Sequence, residues 1–208
     1  MRSSLLLSAL AALVVSAPGA SAYESPESFR ALVIDVVEHE LSAWIDDPIL
    51  IEPLRAQNAF SAGAAEADFQ ALELSWHGGK TKSPLVRDML ARPGSDALRR
   101  RREDAQGVIT EIILMDGKGL NAAISDITSD VWQGDEAKFL ETFPKGPGAI
   151  HVSELARDDS TGMVQTQVSM TVTDPETGEA IGAVTFGIDL ERARAVYGET
   201  EGAKSTGF

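Results

Sequence analysis

Two hydrophobic periods divide the chain near residue 107. In the first half Phe29, Leu32, Val33, Val36, Val37, Leu41 and Trp44 recur at helical spacing. They predict one amphipathic helix of about five turns. Ser25-Pro26 offers its N-cap and a proline at the first helical position. Asp46-Asp47-Pro48 stops that helix and starts another, which Pro53 limits or kinks, so a short helix ending near Phe60 is expected. Ala64 to Trp76 reads as a third helix, closed by Gly78-Gly79. Ser83-Pro84 opens a short helix to about Ala91. Ser95 opens another through Gln106, with Gly107 as its stop.

From Val108 the period changes. Val108–Asp116 is β-branched and apolar, Gly117-Lys118-Gly119 is a turn, and Leu120–Ser125 completes a hairpin. Gly134–Phe143 is a short helical stretch and Ala149–Glu154 a third strand. Over Met163–Thr173, Val164, Val168, Met170 and Val172 alternate with Gln165, Gln167, Ser169 and Thr171. Asp174 to Gly178 is a turn. Ala180–Asp189 is the last strand, with Ala180, Gly182, Val184, Phe186 and Ile188 on one face. Short connections favour antiparallel neighbours. The expected fold is therefore α+β: a long N-terminal helix and short helices packed on an antiparallel sheet of about five strands, near the usual sheet size.

The N-terminus has a different character. Arg2 precedes an apolar run from Leu5 to Val15, too short to span a bilayer as a helix, and the small residues Ala20-Ser21-Ala22 follow. This pattern predicts a signal peptide over residues 1–22, removed before Tyr23, and hence an exported, periplasmic product. The expected domains are a helical region, 23–106, a sheet-containing domain, 107–197, and a polar, disordered tail, 198–208. No later stretch is long and apolar enough to cross a membrane.

Composition removes several functions. The formal charge of −14 argues against nucleic acid and against anionic membrane surfaces. The absence of cysteine excludes disulfides, thiolate catalysis and Cys-based zinc sites. His39, His77 and His151 are scattered, and His39-Glu40 has no second histidine four positions after the first, so no metal site is expected. There is no Gly-x-Ser-x-Gly elbow, phosphate loop or dinucleotide fingerprint. Asp116 to Asn121 lacks the alternating ligands of a calcium loop and reads as a hairpin turn. Arg99–Arg102 reads as a solvated helical run, with an acidic partner as the alternative. The expectation is a non-enzymatic protein without cofactor.

Three segments, in order, resemble the Cache family of extracytoplasmic, PAS-like sensor domains. They are Ile112-Ile113-Leu114-Met115-Asp116-Gly117-Lys118-Gly119, then Ser129-Asp130-Val131-Trp132-Gln133-Gly134-Asp135, then Gly182-Ala183-Val184-Thr185-Phe186-Gly187-Ile188-Asp189-Leu190. The resemblance implies a pocket on one sheet face, roofed by the short helix and its preceding loop, for an amino acid, carboxylate or similar metabolite. It departs from the family at Gln133, where a tyrosine is usual. It also departs in lacking the flanking membrane spans and output domain, so a sensor of this form would report to a separate membrane-bound receptor or kinase.

The candidate ligand-binding residues are Asp126, Asp130, Trp132, Gln133, Lys138, Ser169, Thr185 and Asp189. Trp132 can close over a ligand or pack beneath its loop. Lys138 can meet a ligand carboxylate or remain a surface lysine near Asp135 and Glu141. Asp126 and Asp130 can hold an ammonium or cap turns. Ser169 and Thr185 can donate from the sheet, if the register turns them inward. Asp189 can reach the pocket mouth or cap the helical turn that follows. A zwitterionic or cationic ligand suits the acidic chain. The function expected is a periplasmic small-molecule-binding sensor. The alternative is an interaction or scaffold protein with the same fold and no functional pocket.

Overall fold

The computed structural model describes residues 26–45, 47–77, 83–157 and 164–197. The expected signal peptide, the Gly78-Gly79 stop and the polar tail lie outside the described residues. Among the described residues, no helix is long and apolar enough to cross a membrane.

The helical half contains α1 (Pro26–Val36), α2 (Pro48–Ser61), α3 (Glu66–His77), α4 (Pro84–Leu90) and α5 (Pro93–Asp104). The predicted five-turn helix is α-helical only to Val36. Its last turn, Val37–Leu41, widens to a π turn, because the Ser42 N–H and hydroxyl both donate to the Val37 carbonyl five residues back. Asp47 caps α2 by accepting the Ile49 N–H at 2.9 Å. Pro53 lies inside α2, yet the helix continues, with Leu50, Ile51 and Leu54 buried.

Ser95 does not open α5. Pro93 does, and the buried Ser95 hydroxyl accepts the Ile124 N–H at 3.0 Å. The arginine run is more than a solvated face. Arg101 reaches Asp47 at 2.7 Å and stacks on Trp44, 4.6 Å from the ring centroid, while Arg102 pairs with Asp126. Both tie α5 to other elements.

The second half is β1 (Ile109–Asp116), β2 (Asn121–Ile124), α6 (Ala137–Leu140), a 3₁₀ turn (Phe143–Lys145), β3 (Ile150–Val152), β4 (Ala156–Arg157), β5 (Val164–Thr173), β6 (Ala180–Asp189) and α7 (Leu190–Tyr197). The sheet is antiparallel throughout, in the order β2-β1-β6-β5-β3. The sixth strand, β4, also pairs with β5 and was not anticipated. It continues the edge begun by β3, after an interruption at Ser153, whose hydroxyl accepts the Gln167 N–H.

Period-two alternation assigns the two faces. Ile112, Leu114, Val168, Val184, Phe186 and Ile188 face α1, α2, α5 and α7 in a dry core. Fully burying one such side chain contributes about 1.5–3 kcal/mol. Ile113, Met115 and Ala183 face the other way, against Trp76, Met89, Val131 and Phe139 from α3, α4, the loop after β2, and α6. Ser169, Thr171 and Thr185 are buried in register on that second face. The sheet is therefore covered on both sides. The architecture is α+β and PAS-like, with its long first helix and α2 on one face and a loop-and-helix roof on the other.

Candidate functional site

The roof is built outward from the β1–β2 turn. Asp116 Oδ1 accepts the N–H groups of Lys118 at 2.8 Å and Leu120 at 3.0 Å, which fixes the turn. Burial raises the Asp116 carboxyl above its ordinary value. Against this turn lies the segment Val131–Gln133. The Asn121 N–H donates to the Val131 carbonyl at 2.9 Å, and the Gln133 N–H donates to the Gly119 carbonyl at 2.7 Å. The two segments meet at Gly119 and Gly134. Gly119 has φ +80°, and a Cβ there would run into the backbone of Gly134. A Cβ on Gly134 would run into the Trp132 ring.

Trp132 is held on three sides. Its indole N–H donates to the Lys118 carbonyl at 2.8 Å, its ring stacks on Phe69 with centroids 5.8 Å apart, and its backbone N–H donates to Glu73 Oε1. The Asp130 carbonyl accepts from Asn121 Nδ2 at 3.0 Å, the Thr128 hydroxyl at 2.6 Å and Gln133 Nε2 at 2.7 Å. Gln133 is fully buried, and its Oε1 receives the Lys138 ammonium at 3.2 Å. Lys138 also pairs with Glu136 at 3.1 Å, and its side chain is only 13% exposed. Asp130, Trp132, Gln133 and Lys138 thus form one continuous polar assembly in the roof.

On the sheet below, the Ser169 and Thr185 hydroxyls lie 2.9 Å apart and satisfy each other. Neighbouring Thr171 Oγ1 is buried with no hydrogen-bond partner. Asp126 and Asp189 have other partners. Asp126 pairs with Arg102 at 3.1 Å. Asp189 accepts the Arg192 N–H at 3.0 Å and so caps α7. It also lines a shallow cleft of about 470 Å³ with Arg102 and Arg192. A larger groove of about 600 Å³ runs between α2 and α5, lined by Pro53, Phe60, Arg92 and Ala97, and by none of the eight predicted residues. Arg92 spans its floor, donating to Gln57 Oε1 and the Ala122 carbonyl, each at 3.0 Å.

Sequence reasoning missed Glu73, His77 and Thr171. His77 Nε2 lies 3.2 Å from Glu73 Oε2 and 3.2 Å from Asp130 Oδ1. Burial raises the Glu73 carboxyl above its ordinary value, the Trp132 N–H opposes this, and the Asp130 charge adds to it. The available signal was Glu73-x-x-x-His77, an i,i+4 pair on one face of a predicted helix.

No protein-family model and no curated protein matches the chain. Solved structures similar to it include sensor domains. The histidine kinase DctB sensor domain of V. cholerae is 15% identical with a TM-score of 0.46, over 81% of this chain and 55% of that one. The sensory domain of the Campylobacter jejuni chemoreceptor Tlp3, with isoleucine bound, is 14% identical with a TM-score of 0.37, over 83% and 66%. The ligand-binding domain of the Pseudomonas aeruginosa amino acid chemoreceptor PctC, in complex with GABA, is 14% identical with a TM-score of 0.36, over 71% and 61%. The chain spans between about half and two thirds of the length of these neighbours.

Proposed function

We propose that this chain is an exported, non-catalytic sensor module of the single-Cache type. It binds a small zwitterionic metabolite between the second sheet face and its roof, and reports occupancy to a separate membrane-bound receptor or kinase. One observation carries the reading: buried hydroxyls, including the unpartnered Thr171 Oγ1, share a sheet face with a roof that holds the nearly buried Lys138 ammonium. A buried donor without a partner costs about 1–3 kcal/mol, and a ligand oxygen there would relieve that cost. The three segments that resemble the Cache family supply this same turn, roof loop and closing strand. A ligand acts as a signal only through its different affinity for the open and closed roof.

A second reading, an interaction protein whose roofed face is filled, has its own support. Trp132 and Lys138 already have partners within the chain. The experiment that separates the two is a thermal-shift screen of amino acids, carboxylates and amines. A ligand at about 100 times its Kd adds about 2.7 kcal/mol to stability. That raises Tm by roughly 5–10 °C in a chain of this size. Calorimetric titration of the best hit into Lys138→Met and Thr171→Val follows. Weakened binding in both supports the sensor. No hit, or unchanged affinity in both folded variants, supports the filled-face protein.

A further inference from the structure

Glu73 and His77 stand one turn apart on the same face of α3, and Asp130 approaches them from the loop after β2. One oxygen from each carboxylate and Nε2 of the imidazole all lie within 4.8 Å of one another. A single ring nitrogen is 3.2 Å from both oxygens. An ion pair between an imidazolium and a carboxylate closes to about 2.7–2.9 Å. The edge of a tetrahedron around a zinc ion, with bonds of about 2.0–2.1 Å, is about 3.3 Å. The two edges that meet at His77, each 3.2 Å, are close to the second arrangement, and the third, between the carboxylate oxygens, lies within 4.8 Å. Glu73 Oε2 is buried beside the imidazole nitrogen, without a well-aligned hydrogen bond.

We propose that Glu73, His77 and Asp130 form a binding site for a divalent transition-metal ion of the zinc type. One imidazole with two carboxylates suits zinc and its first-row neighbours better than magnesium or calcium, which prefer all-oxygen shells. Three protein ligands leave a fourth position for water or an incoming group. The side chains give access: His77 is 56% exposed, Asp130 38% and Glu73 21%. The strongly acidic chain favours cations at long range.

The site has a consequence for the roof. Glu73 uses its other oxygen, Oε1, to hold the Trp132 N–H. An ion on Oε2 fixes that carboxylate and, with Asp130, clamps α3 to the loop that carries Trp132. Metal occupancy and the position of the roof loop are then linked through one side chain. This site stands whether or not the chain binds a metabolite beneath the roof.

The test is calorimetric titration of the metal-stripped protein with Zn²⁺, with Mg²⁺ as the comparison ion, alongside Tm and Trp fluorescence. One Zn²⁺ per chain is expected, with a higher Tm and no response to Mg²⁺. His77→Ala, at an exposed position, should keep the fold and lose more than the roughly 10–100-fold in affinity that follows removal of an outer-shell partner. Asp130→Asn should also bind more weakly, and His39→Ala and His151→Ala should match the parent. Co²⁺ should give a visible absorption band that is absent from folded His77→Ala. No stoichiometric Zn²⁺ binding, or binding unchanged in folded His77→Ala, would overturn the proposal and leave an ion-pair cluster.

Discussion

The two faces of the sheet are both buried, yet they are built from opposite materials. One is largely dry: Ile112, Leu114, Val184, Phe186 and Ile188 meet helices in a hydrophobic cluster, and the buried Thr166 beside Ile188 donates its hydroxyl to the Ser153 carbonyl. The other mixes Ile113, Met115 and Ala183 with Ser169, Thr171 and Thr185. Its roof adds Asn121, Gln133 and Lys138, each held by hydrogen bonds. A dry face gains stability without needing directional partners. A polar face needs nearly every donor and acceptor matched, and each mismatch is costly. The first face therefore carries stability. The second concentrates the groups that can recognise something, at lower net stability.

Breaking the dry face should have the largest effect. Phe186→Ala empties the centre of the core, where Trp44 meets the ring edge-on with centroids 5.7 Å apart. The expected loss is about 3–5 kcal/mol by denaturant unfolding. A loss below that of Gly134→Ala in the roof would mean that the dry face does not dominate.

The next effect belongs to the roof. Gly134→Ala places a methyl group against the Trp132 indole. The expected cost is about 1–3 kcal/mol, with a changed Trp emission that reports displacement of the Trp132 segment. Unchanged emission and stability would show that the roof loop is more pliant than its hydrogen bonds indicate.

A smaller effect, with opposite signs in two pH ranges, separates the carboxylates. Arg55 holds Asp174 at 2.8 Å, and this pair lowers the Asp174 pKa to about 2. Its contribution is present above the ordinary carboxylate range and disappears as pH falls through about 2. Asp116 behaves in the opposite way. Burial raises its pKa, so its ionised form costs stability at neutral pH, and protonation on mild acidification removes that cost. Thermal unfolding across pH should show Asp174→Asn losing the drop at the acid extreme and Asp116→Asn losing the rise on mild acidification. Curves that match the parent in both variants would remove the two carboxylates from the pH response.

How much of this was legible in the sequence follows the same division. The dry face was readable because period-two alternation in β5 and β6 and the helical stripe of α1 are local patterns. The even-numbered set from Val168 to Val172 and Val184 to Ile188 lies where the alternation indicates. The π turn at Val37–Leu41 was hidden because it depends on one serine bonding five residues back. Ser95 was misread because a helix-opening serine and a buried acceptor for a distant strand look alike in sequence. Of the site, the cluster from Asp130 to Lys138 was visible as a contiguous stretch. Glu73 and His77 were not, because only the packing of α3 on the roof brings them to Asp130 and Trp132, more than fifty residues later in the chain.

The smallest net effect should come from removing polarity from the second face in matched steps. Ser169 and Thr185 are each other's hydrogen-bond partner at 2.9 Å in a fully buried position. Ser169→Ala alone leaves the Thr185 hydroxyl without its partner, and Thr185→Val alone leaves the Ser169 hydroxyl so. Each single substitution should cost about 1–3 kcal/mol. The double variant removes both halves of the pair and keeps most of the volume, so its stability should lie close to the parent. The coupling energy in the cycle should approach the sum of the two single losses, about 2–6 kcal/mol. Such non-additivity would mark the pair as a polar unit that the fold itself does not require. If the double variant instead loses the sum of the two singles, the hydroxyls contribute separately to the fold, and the contrast between a stabilising face and a recognising face fails at its centre.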